Sequence, residues 1–170
     1  LPAGIRKQIK WEQSASKRLK AVEWSSLAVH GGPALEPFER RIPSPLRAMF
    51  LRNLYGWLTA LRLARTNDVV IVRHMAFDPF ALLFAPFIRN RVSLHHSREW
   101  DELPLIRPGL AGRLAGTLER ITGWVAVRCA MGVMGVTTEI ARFQVESRAP
   151  NKPAGLYVNG VDLDAVREVA

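Results

Sequence analysis

Residues 67–103, NDVVIVRHMAFDPFALLFAPFIRNRVSLHHSREWDEL, leave this chain few folds to choose from. Two β-branched runs, residues 68–74 and 91–96, flank an apolar segment of helical length, which reads as a βαβ unit. A parallel crossover covers both faces of its strands, so such strands appear as unbroken apolar runs, and Val69-Val70-Ile71-Val72 is one. Polar residues gather where each run ends: Arg73-His74 after the first, His95-His96-Ser97-Arg98-Glu99 after the second. Ligands of open α/β sheets bind outside the carboxyl ends of the strands, so both clusters are expected to face one crevice.

The rest of the chain has to fit around that unit. At 170 residues and 48% hydrophobic it can bury one good core, and a single domain is expected. A net charge of +9 and a pI near 10.8 give a positive surface field, which favours phosphates, nucleic acid or anionic headgroups as partners. Cys129 stands alone, which excludes an internal disulfide and a cysteine-cluster metal site and fits a reducing compartment. Pro86 and Arg128 interrupt the two longest apolar runs, so no transmembrane helix is expected, and no signal-peptide pattern opens the sequence.

In chain order, a helix with Ile5, Ile9, Ser16 and Leu19 near one face should follow Gly4, whose place before the first turn suits either an anion or a plain helix start. A loosely alternating strand over residues 21–30 ends at Gly31-Gly32-Pro33. Pro37, Pro43 and Pro45 predict an irregular excursion, and residues 45–66 an amphipathic helix with Arg47, Arg52, Arg62 and Arg65 outside. Pro104 and Pro108 bracket a short loop before a long helix over residues 110–130. Its core stripe is expected at Leu114, Leu118, Ile121, Val125 and Cys129. A second stripe, Arg113, Thr117, Arg120, Trp124 and Arg128, suits anionic headgroups or a solvated face equally. Residues 131–136 form a short strand, Thr137 caps the next helix, residues 155–158 are the last strand, Asn159-Gly160 a turn, and residues 162–170 a short polar helix.

This alternation predicts a parallel, doubly wound α/β sheet with helices on both faces. No G-x-G-x-x-G follows a predicted strand, and Walker A, G-x-S-x-G and H-E-x-x-H are absent, so dehydrogenase, P-loop, hydrolase and metalloprotease readings lack their residues. Four histidines at these spacings do not make a metal site.

Several phrases together resemble family 4 glycosyltransferases. DVVIVRH, residues 68–74, looks like that family's third strand, and LERITGWVAVRCAMGVMGVTTEIARF, residues 118–143, resembles its long helix, fifth strand and V-T-x-E-I/L segment. LYVNGVDLD, residues 156–164, is similar to the (I/V)-P-N-G-V-D motif with Val158 in place of proline, and Gly4-Ile5-Arg6-Lys7 resembles the end of the glycine loop and the start of the first helix. The resemblance implies a GT-B enzyme of two Rossmann-like domains, with residues 1–158 as the N-terminal, acceptor-binding one, lacking its first strand. Residues 159–170 would be the interdomain turn and the start of the link to a C-terminal donor-binding domain, and the fragment alone would be inactive.

By the same resemblance the reaction is transfer of a sugar from a nucleotide-sugar donor to a glycan or lipid-linked acceptor, with retention, in the cytoplasm at the inner face of the membrane. The nucleotide-sugar is a co-substrate, and no metal or other cofactor is expected. His95, at the end of the fourth strand, would orient the donor sugar and stabilise developing positive charge, with His96 as the fallback; a hydrogen-bonded strand-end histidine is the competing account. Gly4 would let backbone approach the donor, with Glu139 of the V-T-x-E segment and Asn159 and Gly160 of the turn on the donor side. Arg73 and Glu99 would serve the acceptor, unless Arg73 pairs structurally with Asp78 or Glu99. Strand alternation puts His95 and His96 on opposite faces, and His95 is expected to face the cleft beside Gly4 with His96 towards the helices.

Two other classes fit the composition. One is a basic nucleic-acid module, although Trp11, Trp24, Trp57, Trp100 and Trp124 are scattered and form no stacking platform. The other is a phosphate-recognising α/β domain without chemistry.

Overall fold

The computed structural model describes residues 1–18, 20–46 and 48–157. They fall into two compact units, the first comprising the described residues up to Ala48 and the second beginning at Met49.

The first unit opens with helix α1, Ala3–Ser16, and carries two short parallel strands, β1 (Ala28–His30) and β2 (Glu39–Arg41), paired Val29 to Arg40. β1 ends at His30, where the glycine pair was expected to stop it. The proline-rich excursion was expected to be irregular, yet β2 lies inside it. Phe38 and Ile42 bury themselves on either side of the three-residue strand, and that anchoring overrides the weak strand signal of Glu-Arg-Arg. α1 also departs from expectation. None of its residues is buried, so Ile5, Ile9 and Ser16 form no inner face, and Leu19 lies outside the described residues. Gly4 sits within the first turn of α1 rather than ahead of it. Glu39 ties the unit together. Its buried carboxylate takes Arg6 at 2.5 Å, His30 at 3.1 Å and the Leu35 N–H at 3.0 Å. The Arg6 bond, outweighing burial, holds it at about 2.

In the second unit, helix α2 (Met49–Ala64) precedes a four-stranded, wholly parallel sheet whose spatial order follows the chain: β3 (Val70–Arg73), β4 (Arg91–His95), β5 (Gly132–Gly135) and β6 (Ala154–Leu156). This is the parallel α/β architecture of a Rossmann-like fold. The expected pairing holds in register, Val70 to Arg91 and Val72 to Ser93. The crossovers are α3 (Phe80–Phe84) with a short 3₁₀ turn, the pair α4 (Glu99–Ile106) and α5 (Leu110–Cys129), and α6 (Thr138–Arg148). Thr137 caps α6 by accepting the Ile140 N–H at 3.3 Å, as its position ahead of the helix predicts. No helix among the described residues is long and apolar enough to cross a membrane.

Strands added always on the same side through right-handed crossovers place their connections on one face of the sheet. The core shows which face. Trp57, Ala60, Ala81, Ala85, Ile88 and Ala126 cluster with Val72, while Val127 and Ala149 pack with Val133, so α2, α3, α5 and α6 lie over the side of the sheet that carries Val72, Ser93 and Val133. Asp78, buried between α2 and α3, accepts Trp57 Nε1–H at 2.6 Å and the Phe80 N–H at 3.2 Å. Arg91 reaches from β4 to the carbonyl oxygen of Ala126, with its guanidinium 5.4 Å from the Trp57 ring.

Two expectations fail on α4 and α5, the second in part. Pro104 and Pro108 were expected to bracket a loop, yet α4 runs through Pro104 as far as Ile106. Pro104 falls in the last turn, where the missing N–H leaves only the Trp100 carbonyl without its donor, and three acids in the first turn favour the helix start. The expected core stripe of α5 holds only in part: Val125 and Cys129 pack against the core, but Leu114 is 61% and Ile121 54% exposed. Facing inward are Gly112, Gly116, Glu119, Thr122, Gly123 and Ala126. α4 and α5 approach too closely for larger residues, since a Cβ on Gly112 would overlap the Arg107 carbonyl. Towards α4 the packing face is a stripe of small residues, while Val125, Val127 and Cys129 pack into the core.

Candidate functional site

The carboxyl edge of the second unit's sheet gathers the polar residues. Alternation along β4 sends Ser93 and His95 to one face, and the neighbouring strand puts His74 beside His95 through the extended register, with the His74 N–H on the Leu94 carbonyl at 2.8 Å. The two imidazoles stack at 4.4 Å between centroids. His95 is fully buried; its Nε2 lies 2.9 Å from Ser93 Oγ and its Nδ1 3.1 Å from Glu99 Oε1. Gln144, from α6, donates to the other Glu99 oxygen at 2.9 Å and to the Ser97 carbonyl at 3.2 Å.

A second carboxylate completes the cluster. Glu119, on the inner stripe of α5, takes His74 Nε2 at 2.9 Å, Arg148 Nη2 at 2.6 Å and the Phe77 N–H at 2.5 Å. Phe77 has φ of 46°, a left-handed conformation unfavourable for a residue with a Cβ, and the bond to Glu119 helps hold it there. Arg148 lies 3.9 Å from Glu99 as well, and its guanidinium sits 4.8 Å from the Trp100 ring, whose face partly satisfies the N–H groups that no oxygen takes. Gly123 leaves the room: a Cβ there would overlap Glu119 Oε1 and stand 2.6 Å from Arg148 Cζ.

Electrostatics follow from burial. Desolvation, reinforced by the His74 neighbour, pushes His95 down to about 4, so its imidazole is neutral near pH 7. Burial alone would raise both carboxyl groups. Bonding from His95 outweighs it at Glu99, which is held at about 2, and bonding from His74 together with the Arg148 charge keeps Glu119 below the usual range. Two buried carboxylates thus face one guanidinium and a neutral His95. His74, His95 and Glu99 also offer ligand atoms within 4.8 Å of one another. A divalent cation there would have to break the His95–Glu99 bond and sit close to Arg148, which opposes it.

These positions correct three expectations. His95 does not face an open cleft while His96 turns to the helices: the alternation is right, but the crossovers cover the His95 face, and His96 is the half-buried one, its pKa lowered by burial and by Arg73. Glu99 is not presented to an acceptor but buried against His95 and Gln144. Arg73 is exposed, and neither Asp78 nor Glu99 pairs with it: alternation along β3 sends it to the face opposite Val72, away from the covered side where both acids are buried. Glu139 is exposed on the first turn of α6 and, with Arg98, Thr138, Arg142, Phe143 and Glu146, lines a shallow depression of about 260 Å³. Gly4 belongs to the first unit, and Asn159 and Gly160 lie outside the described residues.

Glu119, Arg148, Gln144 and Ser93 were not singled out from sequence. For Glu119 a signal existed: it is the one acid among the buried residues of α5, which are otherwise glycine, threonine, alanine and valine. Arg148 carried none, since an arginine in the last turn of a helix is ordinarily solvated. No family model, no curated protein and no solved structure matches the chain.

Proposed function

We propose that this chain is the acceptor-side, N-terminal domain of a GT-B-type glycosyltransferase, which moves a sugar from a nucleotide-sugar to a glycan or lipid-linked acceptor with retention. The observation that carries the reading is the carboxyl edge of a sheet that is parallel throughout. A histidine closes β4 there and the V-T-T-E segment opens the helix after β5, both of which the sequence resemblance calls for, and His74 from the end of β3 stands beside that histidine. Within this reading the buried network is a positioning device. His95, Glu99, Glu119 and Arg148 fix the ends of β3 and β4, while His96, Arg73 and Glu139 remain accessible at the same edge to meet donor or acceptor. Gly4, Asn159 and Gly160 stay assigned to the donor side. Donor binding is chiefly the task of a further C-terminal domain, and the enzyme works at the cytoplasmic face of the membrane.

The test is to express the complete gene product and offer it labelled uridine-, guanosine- and adenosine-diphosphate sugars with a glycan or membrane-lipid extract. Transfer is expected, with His96→Ala and Arg73→Ala each lowering turnover by roughly 10²-fold or more. A complete protein that transfers none of these sugars, but binds phosphate-rich ligands without turnover, would instead be a non-catalytic recognition domain. The exposed Arg73, Arg98 and Arg142 favour that alternative.

A further inference from the structure

The outer face of α5 carries large apolar side chains that no neighbour covers. Leu110, Leu114, Thr117, Ile121, Trp124 and Arg128 recur in steps of four and three along one side of a twenty-residue helix, and all are exposed. The turn from α4 continues the surface: Leu105, Ile106, Leu110 and Leu114 are between 61% and 81% exposed. Isolated exposed leucines need no explanation, whereas a contiguous apolar strip of this kind marks a contact surface. Nor is the turn an unformed loop. α4 and α5 pack closely through Gly112 and Gly116, so the aliphatic residues are displayed on a fixed support.

Charge says what the surface meets. Between Leu105 and Arg128 there are four arginines, Arg107, Arg113, Arg120 and Arg128, and all are exposed. The single acid of that stretch, Glu119, is buried on the opposite side. The Arg128 guanidinium sits 4.6 Å from the Trp124 ring, a combination suited to the boundary between headgroups and acyl chains. A helix with an apolar stripe, arginines along one edge and at its end, and too polar to span a bilayer lies in the interface plane. We propose that the outer face of α5, with the α4–α5 turn, docks this protein on an anionic lipid surface. The aliphatic residues enter the acyl boundary and the arginines reach phosphate. A nucleic acid would use the arginines but gain nothing from four exposed aliphatic side chains. This inference is read from α4 and α5 alone, and vesicle binding can fail while sugar transfer stands, or the reverse.

Vesicle co-sedimentation of the intact chain tests it, with phosphatidylcholine vesicles made with or without about one-third phosphatidylglycerol, at low salt and at about 0.5 M salt. Binding is expected to the anionic vesicles and to weaken with salt. Arg113→Gln with Arg120→Gln should lower affinity by roughly 25-fold, about fivefold for each arginine. Leu110→Ser with Leu114→Ser should lower it by roughly tenfold or more at unchanged charge. The substituted side chains are exposed, and far-UV circular dichroism verifies that each variant is folded. Leu83→Ser with Phe87→Ser, exposed on another part of the unit, should leave binding intact. Failure of the unaltered chain to bind, or binding that survives both sets of α5 changes, overturns the proposal. So does equal loss in the Leu83 and Phe87 variant, or an arginine-dependent, leucine-independent affinity for single-stranded RNA. A monomer–dimer equilibrium shifted by the leucine changes without vesicle binding would assign the face to a second copy of the chain instead.

Discussion

Replacing Glu119 by glutamine keeps the shape of the side chain and removes its charge. In the native protein one carboxylate serves three donors, Arg148 at 2.6 Å, His74 at 2.9 Å and the Phe77 N–H at 2.5 Å. A carboxamide has one accepting oxygen. Its NH₂ group must therefore oppose either the Phe77 N–H or the Arg148 and His74 pair, and Arg148 keeps as its nearest carboxylate only Glu99, 3.9 Å away. Arg148 is 2% exposed and cannot turn to water. Breaking a buried ion pair by removing one partner costs about 3–5 kcal/mol, chiefly because the remaining charge is left uncompensated. Against a total stability of about 5–15 kcal/mol this is a large fraction. The assay is urea unfolding followed by far-UV circular dichroism, with linear extrapolation to water. Arg148→Met alone should cost a similar amount, since it strands Glu119. The double variant should be less destabilised than the sum of the two by about 2 kcal/mol or more, because the second change relieves the charge that the first exposes. If Glu119→Gln lies within about 1 kcal/mol of the parent, or the two changes are additive, the network does not hold the strand ends as described.

Two further outcomes follow from the same cluster. His95 titrates at about 4, below the ordinary histidine value, so as pH falls the unfolded chain takes up a proton before the native one, and stability declines from about pH 6.5 downward. The carboxylate Glu99, held at about 2, contributes stability that is lost only below about pH 4.5. Between pH 7 and pH 5 the loss therefore belongs to the histidines: roughly 2 kcal/mol from His95, with His96 adding in the same direction. Urea midpoints at the two pH values measure it; His95→Asn should remove most of the slope, and equal stability at both pH values would contradict the buried neutral imidazole. Gly123→Ala should destabilise by about 1–3 kcal/mol, although alanine favours helix by about 1 kcal/mol. The new methyl would enter the space of Glu119 and Arg148. A stabilised Gly123→Ala protein would mean that the ion pair can move aside.

The apolar run at residues 69–72, the helical segment after it and the second run ending in His95-His96 determine by themselves that the chain makes parallel strands with polar residues at their carboxyl ends. Local propensity and period suffice for that, because a parallel strand advertises its burial as unbroken β-branched residues. Thr137 was legible for the same reason: a cap is a contact between residues three apart. Which face of β4 would be covered was not legible. His95 and His96 are interchangeable in sequence, and the choice between them came from the order in which β3 to β6 assemble, each crossover returning on the same side. The expectation for α5 failed in part on similar grounds: Val125 and Cys129 reach the core, but Leu114 and Ile121 do not. Hydrophobic period identifies an apolar stripe but not what it meets, and the closeness of α4, set by Gly112 and Gly116, reserved the inner side for small residues. Glu119, Arg148 and Gln144 are separated from their partners by 29 to 47 positions, and nothing local marks them. Only tertiary structure could decide that two buried carboxylates, an arginine and a stacked histidine pair converge behind the strand ends, since each is tolerable out of water only because the others are there.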